Sequence, residues 1–235
     1  MGIVERKERE RAERRALIMS CAKELILKYG PNEVSMAEIA ERAELSKATL
    51  YLYFSSKDVL YRDICEEAAN TFDTYLQSRM PANGLRALDA LNLYWRCFLD
   101  IFGVSDDILI FFSMKRYLVP AAPFIPLEEG VSPPGDSSYQ FFHRIQRIIT
   151  QGIEEGFFEA DADPAMVARM ILSSFSFMVE DTMKLPKERR EFCSVIGEMR
   201  NMVQIMLRGI AGKGIDKTLI NLALPDNHAK KPGAE

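Results

Sequence analysis

Between residues 35 and 54 two short helical signals stand so close together that only a tight turn fits between them. That spacing restricts the fold more than any other feature of the chain. Ser35 precedes Met36, Ile39, Ala40 and Ala43, apolar at i, i+3, i+4 and i+7, with Glu38 in capping-box register. A helix over 36–43 is expected. After a break at Glu44-Leu45, Ser46 can cap a second short helix over 47–53, and Ser55-Ser56-Lys57-Asp58 opens another. Two short helices joined by such a turn make a helix-turn-helix.

The flanks fit a three-helix unit. Ile18, Ala22, Leu25, Ile26 and Tyr29 form one apolar stripe on a helix over 9–29, and Gly30-Pro31 ends it. Downstream, Leu60, Ile64, Ala68, Phe72 and Leu76 repeat over 56–80 without a breaker, giving a helix long enough to join two domains. Beyond Pro81, helical patterns fill 85–102, 106–118, 138–155, 164–184 and 187–209, and no strand is expected. The five prolines and two glycines of 119–137 predict a long irregular connection. The expected fold is all-α: a helix-turn-helix domain over 9–55, a larger helical domain over 56–224 and a flexible tail over 225–235.

Composition narrows the class. A chain of 235 residues that is 48% apolar can bury a substantial core. Its longest uncharged stretch, 117–127, is about half of the ~20 residues a spanning helix needs. The charged start of the chain leaves no apolar core for a secretory signal, so a cytoplasmic protein is expected. Cys21, Cys65, Cys97 and Cys193 lie far apart without a CxxC pair, which predicts reduced, buried thiols and no metal site. The net charge of −4 hides a gradient: 1–62 hold 12 Lys/Arg against 10 Asp/Glu (+2), and the remainder holds 18 against 24 (−6). Phosphate contact needs only a local basic patch, because attraction decays over about 8–10 Å.

In a helix-turn-helix the second of the paired helices faces a major groove. Ser46, Lys47, Ala48 and Thr49 stand at its start, where side chains reach base edges and free N–H groups favour phosphate. Lys47 can donate to guanine; Ala48 and the methyl of Thr49 can touch thymine. Tyr51, Tyr53 and the hydroxyls of Ser35 and Ser56 suit phosphate contacts, and Lys57 adds a cation. The plainer reading is that Ser35, Ser46 and Ser56 are caps, and that Leu50 and Phe54 are core.

The run from Met36 to Ala43, then Leu45-Ser46-Lys47-Ala48-Thr49-Leu50-Tyr51-Leu52-Tyr53-Phe54 and Ser56-Lys57-Asp58-Val59-Leu60, closely resembles the TetR family of repressors. The likeness covers about 14–68, and its most specific part is the LYxYFxSK run. It implies DNA contact by Thr49, Tyr51, Tyr53 and Lys57, with Arg14 and Arg15 near the DNA backbone, although pairing with Glu10 and Glu13 would explain the same arginines. The chain departs from the family at Glu44, where a glycine is usual; a side chain on a left-handed backbone costs on the order of 1 kcal/mol.

In the larger domain, 167–179 is apolar or small at nearly every position, and Phe192, Val195, Ile196, Met199, Met202, Val203, Met206 and Ile210 form a wide stripe. The resemblance implies a homodimer built on these helices, with Met170, Ser174, Met178, Met199, Met202, Val203 and Met206 at the interface; the alternative is that they fill a monomer core. It also implies an effector pocket near Trp95, Phe98, Phe102, Phe111, Phe112, Tyr117, Phe142 and Phe175, with His143 and Arg169 as polar partners. Arg116 and Arg144 are further polar candidates, and an aromatic stripe is otherwise ordinary core. A lipophilic lining predicts a lipophilic effector.

The expected function is that of a DNA-binding transcriptional regulator, a repressor released from a palindromic operator by a small molecule. The alternatives are a ligand-independent dimeric regulator, or a small-molecule-binding protein or enzyme with a vestigial helix-turn-helix. No nucleophile–base pair, Gly-rich phosphate loop or metal-ligand spacing supports an enzyme, and no cofactor is expected.

Overall fold

The first helix of the protein begins in a run of charges and carries an apolar stripe only from its middle onward. The computed structural model describes residues 2–118 and 137–223, with the side chains of 3, 115–118, 137–140 and 187 outside the description. Helix α1 spans Ile3–Tyr29, so it starts earlier than its apolar periodicity. Its first turns are held locally: the Glu5 carboxylate accepts from Gly2 N–H at 2.9 Å, and Arg6–Glu10 and Arg9–Glu13 pair across one turn at 3.1 and 3.5 Å.

Helices α2 (Met36–Arg42) and α3 (Lys47–Tyr53) follow, then α4 (Lys57–Gln77). Ile18, Ala22 and Ile26 of α1, Ile39 of α2, Leu50 and Phe54 beside α3, and Leu60 and Ile64 of α4 are all buried against one another. The Tyr61 hydroxyl donates to Pro31 O at 3.0 Å, fixing the α1–α2 loop on α4. Glu44, in the turn between α2 and α3, has φ 55, and no other non-glycine residue among those described has positive φ.

The rest is built from α5 (Ala87–Val104), α6 (Asp107–Leu118), α7 (Ser137–Glu154), α8 (Pro164–Met183) and α9 (Phe192–Gly209). The inner face of α4, with Ala68, Phe72 and Leu76 buried, packs on α5, α6 and α7, and α8 packs on α6, α7 and α9. The helix expected from residue 187 is instead a 3-10 turn, Lys187–Arg189, followed by a break before α9. Among the described residues there is no strand, only an isolated antiparallel bridge between Phe158 and Ala211. A Cβ on Gly152 would overlap the Phe158 ring and lie 3.3 Å from Ala87 Cβ, so this close approach requires glycine.

The segment after α9 folds back onto the domain. Ile220 and Leu222 are buried, Trp95 Nε1 donates to Ala223 O at 2.8 Å, and Leu222 N–H donates to Gln204 Oε1 at 2.8 Å. The tail expected over 225–235 and the proline-rich connection fall outside the described residues, apart from Ser137, the first residue of α7.

Three thiols, Cys21, Cys65 and Cys97, are buried; Cys193 is exposed at the start of α9, contrary to the expectation of burial. Burial pushes the thiols of Cys21 and Cys97 up from their ordinary range. Met199 and Val203, expected at an interface between chains, are 0% and 5% exposed. Both face the core of their own chain, because the stripe of α9 is wide enough to meet α8 and the returning C-terminal segment.

Candidate nucleic-acid interface

The expected DNA-reading residues lie on the outer side of α3 and at the starts of α2 and α4. Ser35 caps α2: its hydroxyl accepts from Glu38 N–H at 3.3 Å, and Glu38 Oε2 accepts from Ser35 N–H at 2.8 Å and from its hydroxyl at 2.7 Å. Those bonds hold the Glu38 carboxyl below its usual range. Ser46 caps α3 by accepting from Thr49 N–H at 3.0 Å, and the two hydroxyls lie 2.8 Å apart. Ser56 caps α4 through Val59 N–H at 3.2 Å.

Because Leu50 points inward, Lys47, Ala48, Tyr51 and Leu52 are exposed, while Thr49 and Tyr53 are half-buried. Ser35, Lys47, Tyr51 and Lys57 line one open groove, together with Asn32, Glu33, Val34, Met36 and Ala37. The structure thus gathers four of the expected contact residues around the first turns of α2 and α4. Lys57 lies with Nζ 5.2 Å from the centre of the Tyr61 ring. Burial, the largest influence, pushes its ammonium down from the usual value, and the carboxylates of Asp58, Glu33 and Glu38 oppose that.

The structure corrects one expectation. Arg15 does not reach outward: its Nη1 donates to Tyr53 O at 2.9 Å, it is ion-paired with Asp63, and its guanidinium carbon sits 4.2 Å from the Phe54 ring centre. It ties α1 to the end of α3 and to α4. Arg14 is exposed.

Residues 18–64 match the family model of bacterial regulatory proteins of the tetR family. They carry the N-terminal domain of that family. The fold is TetR-like, with a helix-turn-helix domain followed by a helical C-terminal domain.

Solved TetR-type structures align over nearly the whole chain. A TetR-family transcriptional regulator from Pectobacterium atrosepticum is 22% identical, with 87% of this chain and 97% of that one covered and a TM-score of 0.54. SmeT, the repressor of the Stenotrophomonas maltophilia multidrug efflux pump SmeDEF, is 15% identical over 90% and 97%, with a TM-score of 0.59. A γ-butyrolactone receptor described as ArpA-like is 16% identical over 90% and 96%, with a TM-score of 0.58. Comparison with curated proteins finds no match.

In the C-terminal domain, Trp95, Phe98, Phe102, Phe111, Phe112 and Phe175 are all buried. Trp95 stacks on Phe98 at 5.2 Å between centroids, and Phe112 meets Phe98 at 6.2 Å, Phe175 at 5.6 Å and Phe111 at 5.2 Å, mostly edge to face. Phe142 and His143 are half-buried, and the side chains of Arg116 and Tyr117 lie outside the described residues. Arg169 does not enter this cluster: it is half-exposed, with Nη2 4.0 Å from the α8 cap Asp163. Arg144 is ion-paired with Asp73 of α4. An open groove of about 960 Å³ runs elsewhere, along α4 from Asp63 to Ser78, and none of the expected pocket residues lines it.

Three polar atoms near these helices carry no signal in the sequence. Tyr94 Oη, Gln146 Oε1 and Ser176 Oγ are buried and have no hydrogen-bond partner among the described residues. Burial drives the Tyr94 phenol well above its ordinary range. Tyr94 and Ser176 stand within apolar helical patterns, where periodicity registers hydrophobic faces and not the pairing of a single oxygen.

Proposed function

We propose that this protein is a homodimeric repressor that grips a palindromic operator and is released from it by a small lipophilic effector. The observation that carries DNA contact is the convergence of Ser35, Lys47, Tyr51 and Lys57 on one groove beside the outer ridge of α3. Lys47, Ala48 and Thr49 read base edges; Ser35, Ser46, Tyr51, Tyr53 and Lys57 hold phosphates. The first turns of α2 and α4 add backbone N–H groups that favour an anion.

A two-fold dimer matches a palindrome. Met166, Met170 and Phe177 of α8 are 45%, 46% and 66% exposed, Ile205 of α9 is 71% exposed, and Ser174, Met178, Met202 and Met206 are half-buried beside them. That apolar face is the proposed interface. The domains divide as 9–55 for DNA and 56–224 for regulation, followed by the tail over 225–235. The protein acts in the cytoplasm, not as an enzyme; no helix among the described residues is long and apolar enough to cross a membrane.

The effector lies against Trp95, Phe98, Phe112 and Phe175. The Tyr94 hydroxyl, without a hydrogen-bond partner among the described residues, supports a polar contact at the edge of this cluster: Tyr94 meets Phe141 at 5.7 Å, Phe141 meets Phe112 at 6.2 Å, and a buried polar group left unsatisfied costs about 1–3 kcal/mol that a ligand acceptor would recover. One solved structure of the same fold is a γ-butyrolactone receptor, a small-molecule precedent. The mutual packing of the rings favours a second reading, a regulator that needs no effector.

Selection of the purified protein on random duplexes tests the DNA-binding reading, with Tyr51→Ala and Lys57→Ala as controls. Enrichment of one palindrome, lost in both variants, is the expected result. If no sequence is enriched, or the variants select as the parent does, the reading is wrong. Thermal melting with a panel of lactones and fatty acids then separates the two regulatory readings: an upshift with at least one compound is expected of the first and none of the second.

A further inference from the structure

The ridge of α3 farthest from the core is apolar. With Leu50 fully buried on the inner side, a helical repeat of 3.6 residues puts Ala48 and Leu52 on the opposite side, one turn apart. Ala48 is exposed and Leu52 is 77% exposed, against 49% for Tyr51. Lys47 and Tyr51 flank this line on one side, Thr49 and Tyr53 on the other. A lone exposed leucine is ordinary on a protein surface. Here it stands at the crest of the one helix whose exposed side is proposed to enter a major groove, and its neighbour on that crest has only a methyl.

We infer that Ala48 and Leu52 form a methyl-reading ridge that covers the C5-methyl groups of thymines on the floor of the major groove. This rests on the DNA-binding reading and adds what the helix selects. In the major groove thymine presents a methyl group, whereas guanine, cytosine and adenine present donors and acceptors that an aliphatic side chain cannot satisfy. Leu52 therefore discriminates twice, gaining apolar burial against thymine and stripping water from unpaired polar edges at any other base. The two side chains are about 6 Å apart along the helix, close to two base steps, so the favoured half-site carries thymines within that span.

The test removes methyl groups from the DNA. In the operator recovered by selection, each thymine of a half-site is replaced singly by deoxyuridine, and binding is measured by fluorescence anisotropy for the full chain, Leu52→Ala and Leu52→Met. For the parent, replacement at one or two positions is expected to weaken binding about fourfold, the worth of burying one methyl-sized group. Leu52→Ala is expected to bind more weakly and to lose the sensitivity at one of those positions, while Leu52→Met keeps it. Because Leu52 is so exposed, all three proteins should melt alike. An operator whose thymines all tolerate uracil overturns this inference and leaves the DNA-binding reading standing, as does a Leu52→Ala variant as methyl-sensitive as the parent. Failure to recover any operator overturns both.

Discussion

Arg190, in the break between α8 and α9, donates through Nη1 to the backbone carbonyl of Leu27 in α1, 163 residues earlier in the chain. The same guanidinium reaches Lys28 O at 3.4 Å, Met183 O at 2.9 Å and Leu185 O at 2.9 Å. One cation thus serves the carbonyl ends of α1 and α8, where the helix dipoles favour positive charge.

Replacing Arg190 with alanine is expected to cost about 2–3 kcal/mol, since charge-assisted bonds are lost and carbonyls are left unpaired. Arg190→Lys should recover less than half, because an ammonium cannot span four acceptors as a planar fork does. Urea midpoints check both values. Amide exchange at the end of α1 should quicken in the alanine variant.

Arg15 and Arg14 are adjacent yet should behave oppositely. Arg15→Ala removes the bond to Tyr53 O, the pair with Asp63 and the cation over Phe54, an expected loss of about 2 kcal/mol. Arg14→Ala, at an exposed position, should stay within about 0.5 kcal/mol of the parent. Denaturant unfolding of the two variants side by side distinguishes an internal tie from a surface charge.

At Glu44 the strain is local. Its φ of 55 is a conformation that glycine adopts freely, so Glu44→Gly is expected to stabilise the protein by about 0.5–1 kcal/mol after the entropy of the added glycine is subtracted. A rise in the urea midpoint without a change of slope is the expected sign.

Lys23 bridges Asp107 at 2.8 Å and Glu67 at 3.0 Å, joining α1 to α6 and α4. Burial pulls its ammonium down, but the bonds to both carboxylates outweigh that and raise it above its ordinary value. A lysine raised in the folded state contributes stability that is present below its unfolded value of about 10.4 and is lost as pH climbs through the folded one. Lys23→Met should cost about 1–2 kcal/mol at neutral pH, between the worth of exposed and buried pairs. Its melting temperature should also fall less steeply than the parent's above pH 10, as scanning calorimetry would show.

The sequence announces α3 to the residue, because Ser46, the inward Leu50 and the following Ser56 cap all act within a few positions of one another. The start of α1 was hidden: its first turns depend on ion pairs and carry no apolar period, so the helix is readable only from about residue 9. Arg15 reads as a surface charge because its partners, Tyr53 and Asp63, are distant in the chain. The inward turn of Met199 and Val203 is invisible for a related reason. A wide stripe shows that a helix is buried on one side, and only the returning segment around Leu222 decides which part of the stripe is covered. Leu52 is the reverse case, an apolar residue inside a motif of core residues whose exposure follows from the register of α3.

Trp95 is the only tryptophan in the chain, and its indole is shared between two neighbourhoods: stacked on Phe98 beside Phe175, and hydrogen-bonded to the carbonyl of Ala223. The molecule therefore carries a native fluorophore at the proposed effector site and at the anchor of its returning C-terminal segment. Emission excited at the tryptophan band comes from that one place, and a compound that parts the stacked rings should change its intensity and wavelength without any label. Collisional quenchers should reach it only when the segment around Ala223 lifts away.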